Sequence, residues 1–175
     1  MSGNKRQNLI RIIASVLIVM VVVGIWFIKN GSEKESIAGS DNLDFELEVT
    51  SLDLDQLKSY GLPIIIDFGS DSCIPCKEMA PVLKELNSEL RGKAIVKFVD
   101  VWKYPKLAEG YPISVIPTQL FFDKDGKPYT PSDPEGMSMT LYQTKDTNEH
   151  IFTAHEGGIT KDQLLDALSE MGMEE

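Results

Sequence analysis

Cys73 and Cys76, in the run Cys73-Ile74-Pro75-Cys76, are the only cysteines in the 175-residue chain. Two thiols three positions apart suit either metal ligation or reversible disulfide exchange. Their flanks discriminate between the two. Pro63-Ile64-Ile65-Ile66-Asp67-Phe68 is a short, nearly all-apolar run, the pattern of a strand covered on both faces. From Cys73 to Leu90 the period turns helical, and Met79, Val82, Leu83, Leu86 and Leu90 can share one face. The pair therefore opens a helix. There, unsatisfied N–H groups and the positive dipole end stabilise a thiolate. Cys73 is expected to be the exposed nucleophile with a lowered pKa, and Cys76 the more buried resolving thiol. The spacing lets the two close a disulfide with little backbone movement. Attack by Cys73 gives a mixed disulfide, and Cys76 releases the partner.

Three blander readings compete. His150 and His155 with the two cysteines offer four zinc ligands on paper. However, residues five apart on a strand point to opposite faces, and a long stretch of chain separates Cys76 from His150, so no metal is expected. A static structural disulfide would close too small a loop to stabilise much. A pair of inert core thiols does not suit an exposed helix start. Met137 and Met139 offer soft sulfur donors for Cu(I), but among serines and glycines they read as incidental. Asp123-Lys124-Asp125-Gly126 lacks the spacing of an EF-hand loop and reads as a hairpin turn.

The elements that would hold the cysteines follow from the same patterning. Phe45, Leu47 and Val49 alternate with Glu46 and Glu48, as in a half-exposed strand. Ser51 suits the N-cap of a short helix carrying Leu54 and Leu57, with Gly61 as its stop. Ala94–Val101 and Gln119–Phe122 read as strands, with one helical turn over 105–109 between them. Residues 127–148 are of a different kind, punctuated by Pro128, Pro131 and Pro134, with a candidate strand around Met139–Thr144. Glu149–His155 alternates again, and Thr160-Lys161-Asp162-Gln163 is a capping box opening the last helix. The order β-α-β-α-β-α-β-β-α implies an α/β fold with a mixed sheet flanked by helices.

The amino-terminal segment is of another kind. The stretch ahead of Glu33 carries four basic side chains and no acidic one, so the remainder holds 13 of the 17 basic and all 27 acidic side chains, a net −14 within a total of −10. An acidic body excludes a basic nucleic-acid footprint. Positions 9–28 contain one charge, Arg11. At ~1.5 Å per residue, twenty helical residues span about 30 Å, a bilayer's hydrocarbon thickness. A cleaved signal peptide would have a shorter apolar core. The expected order is a cytoplasmic basic tail (1–8), a transmembrane anchor in the lipid bilayer (9–28), a polar linker (29–43) and a folded domain (44–172). The positive flank stays in the cytoplasm, which places that domain outside it.

The stretch D-F-G-S-D-S-C-I-P-C-K-E-M-A-P-V-L-K-E-L resembles the active-site strand and helix of thioredoxin. Y-P-I-S-V-I-P-T-Q-L-F-F-D-K-D-G-K resembles its substrate-binding loop and hairpin, and H-E-G-G-I-T-K-D-Q-L-L its last strand and helix. The resemblance covers most of residues 44–172 apart from 127–148, which are an insertion against it, and it implies the thioredoxin-like fold. It further implies a cis proline at Pro117 which, with Ile116, docks an extended partner segment, and a buried acid at Asp67 that handles the proton of Cys76. It implies no cofactor beyond the redox-active Cys73–Cys76 pair. Ser72, Ile74 and Pro75 complete the expected substrate-binding set.

The departures from the family pattern carry information too. Ser72 stands where a tryptophan is usual, Ile-Pro replaces Gly-Pro between the cysteines, and Phe98 replaces a lysine that often pairs with the buried acid. Lys97 is adjacent but should face the other way. Trp102 and Tyr104 are candidates for the lost aromatic surface. The reading is thus a membrane-anchored, monomeric thiol–disulfide oxidoreductase. Resemblance to the anchored thioredoxins of cytochrome c maturation implies that a membrane thiol carrier supplies electrons and that extracytoplasmic protein disulfides receive them. A thiol oxidant of the same fold and a non-catalytic binding module are the rivals.

Overall fold

A computed structural model describes Met20 and residues 43–174. The chain divides into two compact units, Met1–Ser36 and Ile37–Glu175, and every strand and helix named below belongs to the second. Among the described residues no helix is long and apolar enough to cross a membrane. The expected tail (1–8), anchor (9–28) and linker lie outside the described residues, except for Met20 and Leu43.

The strands are β1 (Ile64–Gly69), β2 (Ile95–Asp100), β3 (Thr118–Phe122), β4 (Met139–Gln143) and β5 (His150–Glu156). They form one sheet in the order β2-β1-β3-β5-β4. β1 and β2 run parallel, and the other pairings are antiparallel. β1 is buried along its whole length, as its unbroken apolar run requires of a strand with both faces covered. The helices are α1 (Leu54–Lys58), α2 (Ile74–Glu89) and α3 (Lys161–Glu170). α2 and α3 cover one face, packing Met79, Leu83, Leu86, Leu164 and Leu168 on Ile65, Val96 and Phe121. On the other face Leu57 of α1 joins Ile64, Ile66, Phe68, Leu120 and Phe122.

Three expectations need correction. Residues 45–49 are not a strand: Leu43–Phe45 is a turn of 3-10 helix, followed by a single parallel bridge between Glu48 and Phe98. The alternation was real, since it buries Phe45 and half-buries Leu47 and Val49, but too few backbone pairings back it. Asp53 rather than Ser51 caps α1, its carboxylate accepting from Gln56 N at 3.0 Å. The Asp123–Gly126 turn forms, with Gly126 at φ 75°, but its returning arm makes only one bridge, Phe122 to Pro128. A proline has no N–H to extend that ladder.

The insertion instead crosses the sheet end and supplies β4, which adds an outer edge strand beside β5. Glu170 at the end of α3 holds the crossing: it accepts from Tyr129 Oη (2.6 Å), Ser132 N (3.0 Å) and Ser132 Oγ (2.6 Å). The capping box at Thr160 and Gln163 is present in full.

Candidate active site

Cys73 is the N-cap of α2, and its Sγ accepts from Cys76 N at 3.3 Å. Pro75 lies within the first turn, where a helix N–H would have no intrahelical partner in any case. Cys73 and Cys76 form a disulfide, with Cα atoms 5.3 Å apart. Cys73 is partly exposed and Cys76 is buried, the asymmetry expected of an attacking and a resolving thiol. Pro81 sits inside α2.

Ile116–Pro117 is a cis peptide, and the Ile116 carbonyl O lies 3.9 Å from Cys73 Sγ. Pro117 is buried while Val115 is exposed. Ile74 is 72% exposed, with Ser72 and Pro75 open beside it. These residues thus surround the disulfide as one surface. Ser72 bonds locally, its N–H donating to Ser70 Oγ at 3.2 Å.

The loop after β2 is tied to the same surface. Asp100 accepts from the N–H groups of Asp71, Trp102 and Lys103 at 3.0–3.2 Å. Against the opposing effect of burial, those backbone hydrogen bonds, with Lys103 nearby, hold its carboxyl below the usual carboxylate range. Lys103 also pairs with Asp71. Trp102 is 63% exposed on this loop, with Tyr104 two positions on.

Beneath the disulfide lies Asp67, fully buried on β1. Burial pushes its carboxyl up to about 7, and a hydrogen bond from Gln119 works in the other direction. Gln119 Nε2 donates to Oδ1 at 2.7 Å, whereas Oδ2 is buried without a partner. Gly69 lies beside both Oδ2 and Cys76 Sγ. A Cβ built there would lie 3.2 Å from Cys76 Sγ and 3.3 Å from Asp67 Oδ2, so the absent side chain leaves a space that both atoms border. A gap lined by two polar atoms suits a bridging water as well as direct approach.

Other candidates are placed elsewhere. Lys97 faces away from Asp67, and its Nζ donates to the carbonyl of Glu46. Burial lowers it to about 8, although Asp44 and Glu46 favour the charged form. His150 bonds Thr153 Oγ1 at 2.8 Å and His155 bonds Gln119 Oε1 at 3.0 Å, so neither joins the cysteines. Among the described residues no group of three or more His, Cys, Asp or Glu could hold a metal. Met139 is core, and Met137 packs against that core with Sδ 3.8 Å from Tyr129 Oη. Sequence reasoning passed over Gln119 and weighed His155 only as a zinc ligand. The available signal was a lone amide in the apolar run Gln119-Leu120-Phe121-Phe122.

A dithiol–disulfide pair capping a helix, above a buried acid and beside a cis proline, defines a class of redox protein. The thioredoxin family model matches residues 48–143, and the chain belongs to that family. Thioredoxins work through a redox-active cysteine pair without a cofactor. A thioredoxin of Staphylococcus aureus is 40% identical over 82 residues, 47% of this chain and 77% of that one. Thioredoxin Y2 of Arabidopsis thaliana, chloroplastic, is 40% identical over 73 residues, 42% of this chain and 43% of that protein. The chain thus matches less than half the length of its chloroplastic relative. Among solved structures, a chloroplastic thioredoxin z shares 21% identity over 71% of this chain and 92% of its own, with a TM-score of 0.47.

Proposed function

We propose that the protein is a thiol–disulfide oxidoreductase that reduces protein disulfides outside the cytoplasm. Residues 9–28 hold it in the membrane, and a membrane thiol carrier returns it to the dithiol form. The observation that carries the redox reading is the Cys73–Cys76 disulfide at the start of α2, with one sulfur accessible and the other facing the buried carboxylate of Asp67. The location rests on the charge arithmetic and on the apolar run in the segment ahead of Glu33.

In the dithiol form the Cys73 thiolate, stabilised by the Cys76 N–H and the helix dipole, attacks one sulfur of a partner disulfide. A mixed disulfide forms, and the partner's other sulfur leaves as a thiolate. Asp67 then accepts the proton of Cys76, directly or through one water. The Cys76 thiolate attacks Cys73 Sγ and expels the partner's second sulfur. Two electrons pass to the partner, and the Cys73–Cys76 bond is restored. The Ile116–Pro117 segment and the exposed Ile74 offer the partner an extended backbone edge with apolar contact.

Cys76→Ser in the full chain should accumulate mixed disulfides with extracytoplasmic proteins, and Cys73→Ser should abolish insulin reduction. If activity survives Cys73→Ser, the binding-module reading replaces this one. A reduction potential near about −120 mV, that of a strong oxidant, would reverse the direction of electron flow. Protease added outside intact cells should digest residues 44–172, and full protection would overturn the location.

A further inference from the structure

The two oxygens of Asp67 are treated differently. Oδ1 is taken by Gln119 Nε2 at 2.7 Å, while Oδ2 has no partner. Phe98, opposite Asp67 on β2, has no polar side-chain atom to offer. The side-chain hydrogen bond to Asp67 comes from β3, where Gln119 is its register partner.

Gln119 is itself fully buried, and both ends of its amide are engaged. Nε2 lies 3.2 Å from the Gly157 carbonyl and 3.6 Å from Met79 Sδ. Oε1 meets His155 Nδ1 at 3.0 Å. A carboxylate and a backbone carbonyl can only accept, so the amide fits one way round: NH2 toward Asp67 and Gly157, oxygen toward His155. That oxygen needs a donor, which places a hydrogen on Nδ1 of His155. Asp67, Gln119 and His155 thus form one directed chain across β1, β3 and β5.

We propose that Gln119 is the positioning residue of Asp67: held by the Nδ1–H of His155, its amide occupies Oδ1 and leaves Oδ2 as the oxygen presented across the Gly69 gap to Cys76. The inference rests on the reading of Asp67 as proton acceptor for Cys76. A donor on Oδ1 favours the ionised carboxyl and so opposes burial, the larger influence. Without the amide, Asp67 would titrate higher, and less of it could accept a proton at neutral pH. The other titratable groups near this chain are Cys76 from α2, and His155 with Glu156 from β5. Glu48, Asp71, Lys77 and Lys84 line the groove outside Cys76.

The test is a titration of the Asp67 carboxyl carbon in aspartate-labelled full chain, with Asp67→Asn assigning the resonance. The midpoint should lie near 7 in the unaltered protein. In Gln119→Leu it should rise by about one to two pH units, and in His155→Phe by less. The pH profile of Cys76-dependent release of a mixed disulfide should move the same way and keep its high-pH plateau. A midpoint that stays in place while thermal stability falls would make Gln119 a packing residue and overturn the proposal. If Gln119→Leu does not fold, His155→Phe decides: a raised midpoint supports the chain and an unmoved one overturns it. If Asp67→Asn leaves mixed-disulfide release unchanged, the reading of Asp67 as acceptor fails separately, and the titration still judges the hold of Gln119.

Discussion

Asp67 and Lys97 are buried on opposite faces of the sheet, and their surroundings treat them in opposite ways. Asp67 and Lys97 are close neighbours, since Lys97 pairs in register with Ile66 and Asp67 with Phe98. Alternation along the strands sends Asp67 toward α2 and Lys97 toward the opposite face. Lys97 donates to the Glu46 carbonyl with Asp44 nearby, so the chain leading into the domain is anchored by a satisfied cation. Asp67 keeps one oxygen unsatisfied. Burial drives both toward neutrality, the acid up to about 7 and the amine down to about 8. Only the acid is left with an open oxygen facing a reactive sulfur. Burial alone therefore does not distinguish a working group from an anchoring one. On the proposed reading, what distinguishes them is the unmet oxygen of Asp67 bordering the Gly69 gap beside Cys76.

The contrast is sharpest at Asp67. Its folded pKa is raised from 3.8 to about 7, so whatever stability it allows is fully present below pH ~4 and lost as pH rises through about 7. Asp67→Asn should abolish that loss, stabilising the protein at about pH 8 by on the order of 4 kcal/mol, as read by denaturant unfolding across pH. It should also slow mixed-disulfide release by about 100-fold near neutral pH. A variant that gains stability but keeps its release rate would break the contrast.

Lys97→Met should act on the other arm of the profile. The lysine's folded pKa is lowered to about 8, so it costs stability below that pH, and the cost fades as pH rises toward 10.5. The substitution should flatten the pH dependence of unfolding across that window and leave mixed-disulfide release unaltered. An effect on release would show that the two faces are coupled.

Gly69→Ala would place a Cβ 2.9 Å from the Phe98 ring and between Oδ2 and Cys76. Release should slow by about tenfold, with the initial attack by Cys73 unaffected in stopped-flow traces. Glu170→Ala should remove the clamp on the insertion, lowering stability by about 1 kcal/mol in denaturant unfolding without changing either thiol step.

Much of the site was legible because its parts are local. Cys73 and Cys76 lie within one helical turn, and the apolar run of β1 agrees with the burial of Asp67 that the resemblance implied. The cis position at Pro117 came from resemblance. Gln119 and His155 were not legible, because a polar residue in a strand reads as facing solvent until its neighbours across the sheet are known. The insertion was legible in part, since the strand expected around Met139–Thr144 forms as β4. Its turn chemistry is local and correct, yet its strand pairs with β5 and its anchor is Glu170, 38 residues from Ser132.

By itself the sequence determined the helix-capping cysteine pair, the strand before it and the charge asymmetry between the segment ahead of Glu33 and the rest. Each depends on residues adjacent along the chain. The tertiary structure decided which oxygen of Asp67 is free, which side chain holds the other, and that Lys97 belongs to a different face. Those outcomes depend on strand order and register, which join residues far apart in sequence through hydrogen bonds that no local pattern encodes.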